Sequence, residues 1–147
     1  MATSKAIEAQ SKTAEIHRGP AACKEKFLEL LENFSVPRCL FQMADIEAAE
    51  LEEFGFNRST GFFWLRQKAK TECKIHKIGT IYFDVEVAGF IEQHRMWKLT
   101  GVKGKEMMVT LPLCEILVGY PSADKVKCLS TAGVYRVRLI ADFLNTK

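Results

Sequence analysis

The stretch from Glu52 to Leu65, which reads EEFGFNRSTGFFWL, predicts a β-hairpin and decides the fold class. Two short aromatic runs, residues 52–56 and 61–65, flank the polar tetrapeptide NRST at 57–60. Asn and Ser followed by Gly are typical of hairpin loops, because these residue types adopt the backbone angles that a tight turn requires. Aromatic residues favour strands, where they pack on a pleated surface. The sequence therefore predicts a chain built mainly from antiparallel strands.

Alternation at period two predicts further strands after the hairpin. Apolar residues occupy every second position from Ile81 to Glu92, which predicts one unusually long strand. Gly89 interrupts its apolar face and indicates a bulge or bend. A strand near residues 96–99 is expected to end in the glycine-containing turn 100–104.

The C-terminal part of the chain predicts strands of two kinds. Residues 107–118 are apolar on both faces, which predicts a strand that is covered on both sides, with Pro112 favouring an edge or a bulge. In the last strand, residues 135–139 read YRVRL, so we expect one dry face and one face that carries cations. About seven strands that are joined by short turns and kinked at glycine should curl rather than lie flat.

An amphipathic helix is predicted over residues 21–34, where apolar residues recur at three- and four-residue spacing opposite Lys and Glu. Residues 1–19 are polar and expected to be partly frayed, and Gly19-Pro20 stops any helix there. The predicted organisation is thus an N-terminal segment, 1–19, and one domain, 20–147. Its fold class is mainly β (α+β), a strongly curved antiparallel sheet or open barrel with the helix packed against it.

The composition bounds the class of protein. The 147 residues suit one domain, and a composition of 48% hydrophobic and 27% charged residues argues against disorder. Five cysteines, an odd number without any Cys-x-x-Cys, favour free thiols in a reducing compartment. We expect a cytoplasmic protein, because the chain lacks a secretory signal and has no apolar run of the ~20 residues that a transmembrane helix needs.

The sequence contains none of the common catalytic motifs, such as a Gly-x-Ser-x-Gly elbow or a phosphate-binding glycine loop. The histidines at 17, 76 and 94 are too scattered to indicate a metal site, and no cofactor is predicted. Asp84 and Glu86 share a strand face, where cross-strand pairing with Lys or Arg is favoured over cation binding. These observations favour a non-enzymatic protein and identify no catalytic residue.

A basic cluster follows the hairpin and is a candidate contact for an anionic surface: Arg66, Lys68, Lys70 and Lys74. Phe62 and Trp64 share a strand face with its first two members, an arrangement that also suits single-stranded nucleic acid. The alternative is that both rings are core while the cations extend outward. The small net charge of +3 favours that alternative, so no specific nucleic-acid partner is predicted.

Apolar residues of the central strands are candidate contacts for an apolar small molecule inside the curved sheet: Phe63, Leu65, Phe83, Val85 and Val87. A long one-sided strand, many aromatic residues and a helix that could cover the sheet motivate this interpretation. The same residues are also what a filled core would contain. Both interpretations remain open at this point.

The segments 55–68 and 96–106, which read GFNRSTGFFWLRQK and MWKLTGVKGKE, resemble a plant family catalogued as domain of unknown function 538. The resemblance continues at 84–87 and more faintly at 133–136, and it covers residues 20–143. It implies a curved β-structure with helical flanks, similar to half of the bactericidal/permeability-increasing proteins. It also implies a link to plant stress and development, and either lipid-like ligand binding or weak hydrolysis of carboxylic esters.

No catalytic motif accompanies the family pattern, so the resemblance supplies no active-site residues. The chain also departs from that pattern, since residues 36–42 read VPRCLFQ where the family tends to read Leu-Pro-x-Gly-Leu-Leu-Pro. The hairpin is retained, while the segment that precedes it differs.

Overall fold

A computed structural model describes residues 2–45 and 50–145, and within them nine strands form one antiparallel sheet. The strands are β1 (Glu15–Arg18), β2 (Leu51–Asn57), β3 (Phe62–Gln67), β4 (Thr71–Ile75), β5 (Gly79–Glu92), β6 (Arg95–Glu106), β7 (Val109–Val118), β8 (Lys125–Ser130) and β9 (Tyr135–Leu139). The helices are α1 (Ala2–Ser11), α2 (Pro20–Asn33) and α3 (Gln42–Asp45), with 3-10 turns at Arg38–Leu40 and Ile140–Leu144. No described helix has the length and apolar character needed to cross a bilayer.

The sheet is open. Its strand order is β1-β2-β3-β5-β6-β7-β8-β9, and β4 pairs beside β3 on the same edge of β5. The predicted mainly β, antiparallel class is confirmed, but the predicted barrel or strong curl of about seven strands is wrong, since the sheet is neither closed nor strongly curled. Local register shifts, such as the one between Phe83 and Ala88, accommodate residues of one strand that have no partner on the next. Among the described strands, β1 and β9 are the outermost and form the edges of the sheet.

The predicted hairpin is confirmed as β2 and β3. The Gly61 amide donates to the carbonyl of Asn57 at 2.8 Å, and Gly61 has a φ of 82°, which favours glycine. The Ser59 amide donates to the Asn57 side-chain oxygen at 3.0 Å, so the Asn fixes the turn from within. The polar tetrapeptide therefore closes the loop in the way its residue types predict.

The long strand is confirmed as β5, and the pairing of β5 with β6 shifts between Ala88 and Phe90, where Gly89 predicted a bulge. The turn predicted at 100–104 is wrong. There β6 continues to Glu106, and Gly101, with a φ of 85°, lies where a Cβ would collide with the backbone of Glu86. Glycine thus permits a close approach of two strands instead of ending one.

The predicted amphipathic helix is confirmed as α2, which packs on one face of the sheet. The ring of Phe27 lies 5.6 Å from that of Phe54 and 5.9 Å from that of Phe63, measured between centroids. On the opposite face, Ile7 of α1 packs with Phe62 and Trp64, which are 4% and 1% exposed. Both rings are therefore core, as the alternative to nucleic-acid stacking predicted.

Residues assigned to the N-terminal segment 1–19 include α1 and also β1, which pairs with β2. The division of the chain at residue 19 stays a prediction.

We expect Gly55→Ala to destabilise the fold. Gly55 pairs with Trp64 across β2 and β3, and a Cβ there would overlap the buried indole ring. Forcing extra volume into a packed site costs about 1–3 kcal/mol of the free energy of unfolding, which urea denaturation measures. In the matched control Gly104→Ala, the new Cβ meets no heavy atom within 4 Å, so stability should hold or rise. Equal stability of both variants would contradict this account of the hairpin.

Candidate ligand groove

An apolar groove lies at the end of the sheet where the β6–β7 and β8–β9 hairpins meet the C-terminal 3-10 turn. It is open to solvent and has a cavity volume of about 120 Å³. We refer to it below as the apolar groove. The apolar side chains that line it are Ile78, Ile81, Val109, Leu111, Leu113, Val134 and Phe143.

The groove exists because a glycine stands opposite large aliphatic residues. Leu111 of β7 pairs with Gly104 of β6, which in turn pairs with Ile81 of β5. Directly paired residues share a face of the sheet, so all three positions lie on the same side. A Cβ at Gly104 would meet no heavy atom within 4 Å. The missing side chain leaves open space in the middle of an otherwise aliphatic row.

The rim of the groove is cationic. Arg138 of β9 donates a hydrogen bond to Glu106 of β6 at 2.6 Å, and Arg136 forms an ion pair with the same carboxylate at 3.4 Å. These contacts tie the two hairpins together across the groove. One carboxylate serves two guanidinium groups, so the rim keeps a net positive charge.

The prediction that the apolar face of β9 is dry is wrong, because the residues on that face are exposed. Arg136 lies opposite Cys128 and Arg138 lies opposite the fully buried Val126, so both arginines occupy the inner face. Glu106 supplies the partner that holds Arg138 inward, with its side chain 23% exposed, whereas Arg136 stays mostly exposed. The predicted dry side is the exposed one: Tyr135, Val137 and Leu139.

Two nucleophilic side chains, Cys128 and Ser130, line the groove, and the one carboxylate among the described lining residues, Glu106, is held by two arginines. Burial raises the pKa of the Cys128 thiol to about 11, against the opposing effect of Arg138, so the thiol stays neutral at physiological pH. The Ser130 hydroxyl accepts a hydrogen bond from the Val134 amide at 3.2 Å. No histidine or aspartate is among the described residues that line the groove. Within the described parts of the chain, no group of three or more His, Cys, Asp or Glu could hold a metal ion.

The five predicted contacts for an apolar ligand lie outside the groove. Four of them are at most 2% exposed and belong to the main core: Phe63, Leu65, Phe83 and Val87. Phe83, for example, packs against Phe41 with ring centroids 6.1 Å apart. Val85 is only half-buried. The structure thus brings four of the residues together as packed core, and their role as ligand contacts stays a prediction.

The predicted basic cluster divides into one paired and three exposed residues. Arg66 forms ion pairs with Glu53 at 3.1 Å and with Glu86 at 2.8 Å, so its charge is matched within the sheet. Glu86 therefore makes the cross-strand pair that the sequence favoured. The exposed members are Lys68, Lys70 and Lys74. Their contact with an anionic surface stays a prediction.

Sequence reasoning missed the tip of the β6–β7 hairpin. The strand predicted at 107–118 is β7, which begins at Val109 because Met107 and Met108 form the turn. The prediction that both its faces are covered is wrong, since only Ile116 is fully buried. The two methionines are 90% and 87% exposed. No Asn or Gly marks the turn, so its residues give no turn signal. Gly104 inside a strand pattern was the available signal for open space nearby.

A family profile described as "Protein of unknown function, DUF538" matches residues 27–143. The chain belongs to this family. The resemblance carried by segments 55–68 and 96–106 is thereby confirmed. No curated protein and no solved structure matched the chain. Because the family description assigns no biochemical role, the function has to be argued from the groove itself.

Acid should weaken the tie between the two hairpins. Hydrogen bonding and charge from Arg138, with a smaller effect of Arg136, hold the pKa of Glu106 below its usual range. A lowered pKa adds stability that is complete above the usual glutamate value of about 4.3 and is lost as the pH falls through the lowered pKa. We therefore expect Glu106→Gln to flatten the acid limb of a plot of Tm against pH.

The matched control is Glu32→Gln, which changes an exposed glutamate on α2 and should leave the acid limb unaltered. Acid limbs with the same slope in Glu106→Gln and in the unmodified protein would contradict the assigned ion pair.

Proposed function

We propose that the protein is a non-enzymatic module that binds a lipid-like or other apolar small molecule, and that the apolar groove is its site. The observation that carries the proposal is a cavity of about 120 Å³ that is lined mainly by apolar side chains and opens to solvent beside two arginines. Small-molecule sites are typically concave and apolar, with a few polar groups that set the ligand's orientation. Membership of the family is compatible with this role but does not assign it.

The size of the groove limits what it can enclose. A cavity of ~150 Å³ binds benzene in a well-studied case, so about 120 Å³ accommodates one ring or a short run of methylene groups. The rest of a longer ligand would lie along exposed apolar side chains at the mouth, including Val109 and Val134. The net positive rim favours a ligand whose polar end is anionic or accepts hydrogen bonds.

Filling the groove should abolish ligand binding without unfolding the protein. In Gly104→Val, the added side chain enters space that is open in the native protein, and valine favours strands. Titration with the fluorescent fatty acid cis-parinaric acid should show binding to the unmodified protein and a loss on the order of tenfold or more in the variant. The thermal midpoint should hold or rise.

The matched control is Thr110→Val, which replaces a hydroxyl with a methyl group on the opposite face of β7 and should bind as the unmodified protein does. Native mass spectrometry of freshly purified protein, followed by organic extraction, identifies any ligand that co-purifies. If the measured mass is that of the protein without ligand and the probe does not bind, the proposal is wrong. Undiminished binding by Gly104→Val would exclude the groove as the binding site.

A second candidate is an interaction protein that engages an anionic surface through the outer face of the sheet. The exposure of Lys68, Lys70 and Lys74 favours it. Such contacts are electrostatic, so binding to RNA or to anionic vesicles should weaken as salt rises. Binding that is indifferent to salt would argue against this candidate.

Hydrolysis of carboxylic esters is implied only by the family resemblance. The raised pKa of Cys128 and the groove's lack of a neighbouring histidine among described residues weigh against it. We expect p-nitrophenyl butyrate to be hydrolysed no faster than in buffer once the protein is repurified. Turnover that persists and disappears in Cys128→Ala would instead favour an enzyme. The cytoplasmic location and the link to plant stress and development stay predictions.

A further inference from the structure

We propose that the tip of the β6–β7 hairpin docks the protein on an anionic lipid bilayer, with Met107 and Met108 inserted and nearby lysines on the headgroups. This inference goes beyond ligand binding in the groove and does not require it. It rests on the exposure of the two methionines, on their backbone conformation and on the charge around them.

The methionines stand at an apex that nothing in the described structure covers. Glu106 and Val109 form the last pair of the hairpin, so Met107 and Met108 make a two-residue turn beyond it. They are the two most exposed large apolar residues among those described, at 90% and 87%. Val109, the next residue, is also exposed. An apolar apex of this kind can enter a bilayer interface without any change in the sheet behind it.

The backbone of the turn also argues for a role outside folding. Met107 and Met108 have φ angles of 50° and 75°, in the left-handed region. Two-residue turns of this type strongly favour Asn-Gly, because ordinary side chains are strained there. Methionine at both positions therefore lowers the stability of the fold through backbone strain, and the exposed side chains add no stability through burial. Folding alone does not account for the pair, whereas insertion into an apolar phase does.

The lysines that flank the tip give it the charge that anionic lipids attract. Lys74, Thr80, Lys105 and Thr110 form one cross-strand row just behind the tip. The next row on that face contains Glu72, Tyr82 and Lys103, so three lysines face one glutamate.

Lys77, in the neighbouring β4–β5 turn, is exposed as well. Among the described residues, none of the four lysines near the tip forms an ion pair: Lys74, Lys77, Lys103 and Lys105. Glu106 is held by Arg136 and Arg138, so it does not offset their charge.

Insertion also suits the position of the groove. Val109 both follows the methionines and lines the groove, so a docked tip would hold the mouth of the groove against the lipid surface. Flexible methionine side chains adapt to an irregular apolar phase. A convex apex with dispersed lysines matches a continuous, negatively charged surface better than it matches a single protein pocket.

Vesicle co-sedimentation tests the proposal with the full chain. The unmodified protein should sediment with phosphatidylcholine–phosphatidylserine vesicles and much less with phosphatidylcholine alone. The double substitution Met107→Asn with Met108→Gly should weaken binding on the order of tenfold or more. It should fold well, because Asn-Gly is what this turn prefers. Tyr120→Asn, which changes an exposed side chain beyond the opposite end of β7, is the matched control and should bind normally.

Charge and insertion are tested separately. The single substitutions Lys74→Gln and Lys105→Gln should each reduce binding to the anionic vesicles about fivefold. The single substitutions Lys68→Gln and Lys70→Gln, which lie beyond the far end of β4, should not reduce it. In Met108→Trp, the indole fluorescence should shift to the blue when anionic vesicles are added. A tryptophan introduced at Tyr120, beyond the opposite end of β7, should show no shift.

Absent sedimentation of the unmodified protein, or equal binding by the Met107→Asn, Met108→Gly variant, would overturn the proposal. So would dependence on Lys68 and Lys70 in place of Lys74 and Lys105, which would favour contact through another part of the sheet. Binding of cis-parinaric acid in the absence of vesicles reports on the groove alone. The failure of either proposal is therefore distinguishable from the failure of the other.

Discussion

The rest of the structure depends on the packing of Phe27 between α2 and the first hairpin. Its ring is fully buried and makes close aromatic contacts with Phe41, Phe54 and Phe63. Each such pair contributes about 0.5–1.5 kcal/mol beyond the burial of its area. These contacts hold α2 over β1 and β2, at one side of a broad sheet. At the β6–β7 end of the sheet, the covering residues come from the β8–β9 hairpin and from Phe143 of the C-terminal 3-10 turn, and there the groove opens.

Elements whose signals are local could be predicted from the sequence. The Asn-Arg-Ser-Thr turn, the period of α2 and the alternation of β5 each lie within a short window, and each is confirmed. The continuation of β6 could not be predicted, because Thr100-Gly101-Val102 suits a turn and a bulge equally well. Only the close approach of the Glu86 backbone in β5 decides between them, and that is information from a distant part of the chain.

The apolar groove could not be predicted from the sequence for the same reason. Gly104, Leu111 and Ile81 create the groove only once three strands are in register. Alternation in β9 correctly separated its two faces but could not say which one points inward. That choice depends on Glu106, which comes from another hairpin and pairs with both arginines. Aromatic content in the central strands predicted an apolar interior, but the interior they form is packed rather than hollow.

The free edge of β9 has a consequence for how the protein behaves in concentrated solution. An edge strand with unpaired backbone groups is a template for strand addition, and Tyr135, Val137 and Leu139 give this edge an apolar outer face. Arginines at alternate positions and Lys127, which lies 4.4 Å from the Tyr135 ring centroid, act as gatekeepers against that addition. The charges of β9 and of its neighbour β8 therefore oppose the addition of further strands at this edge.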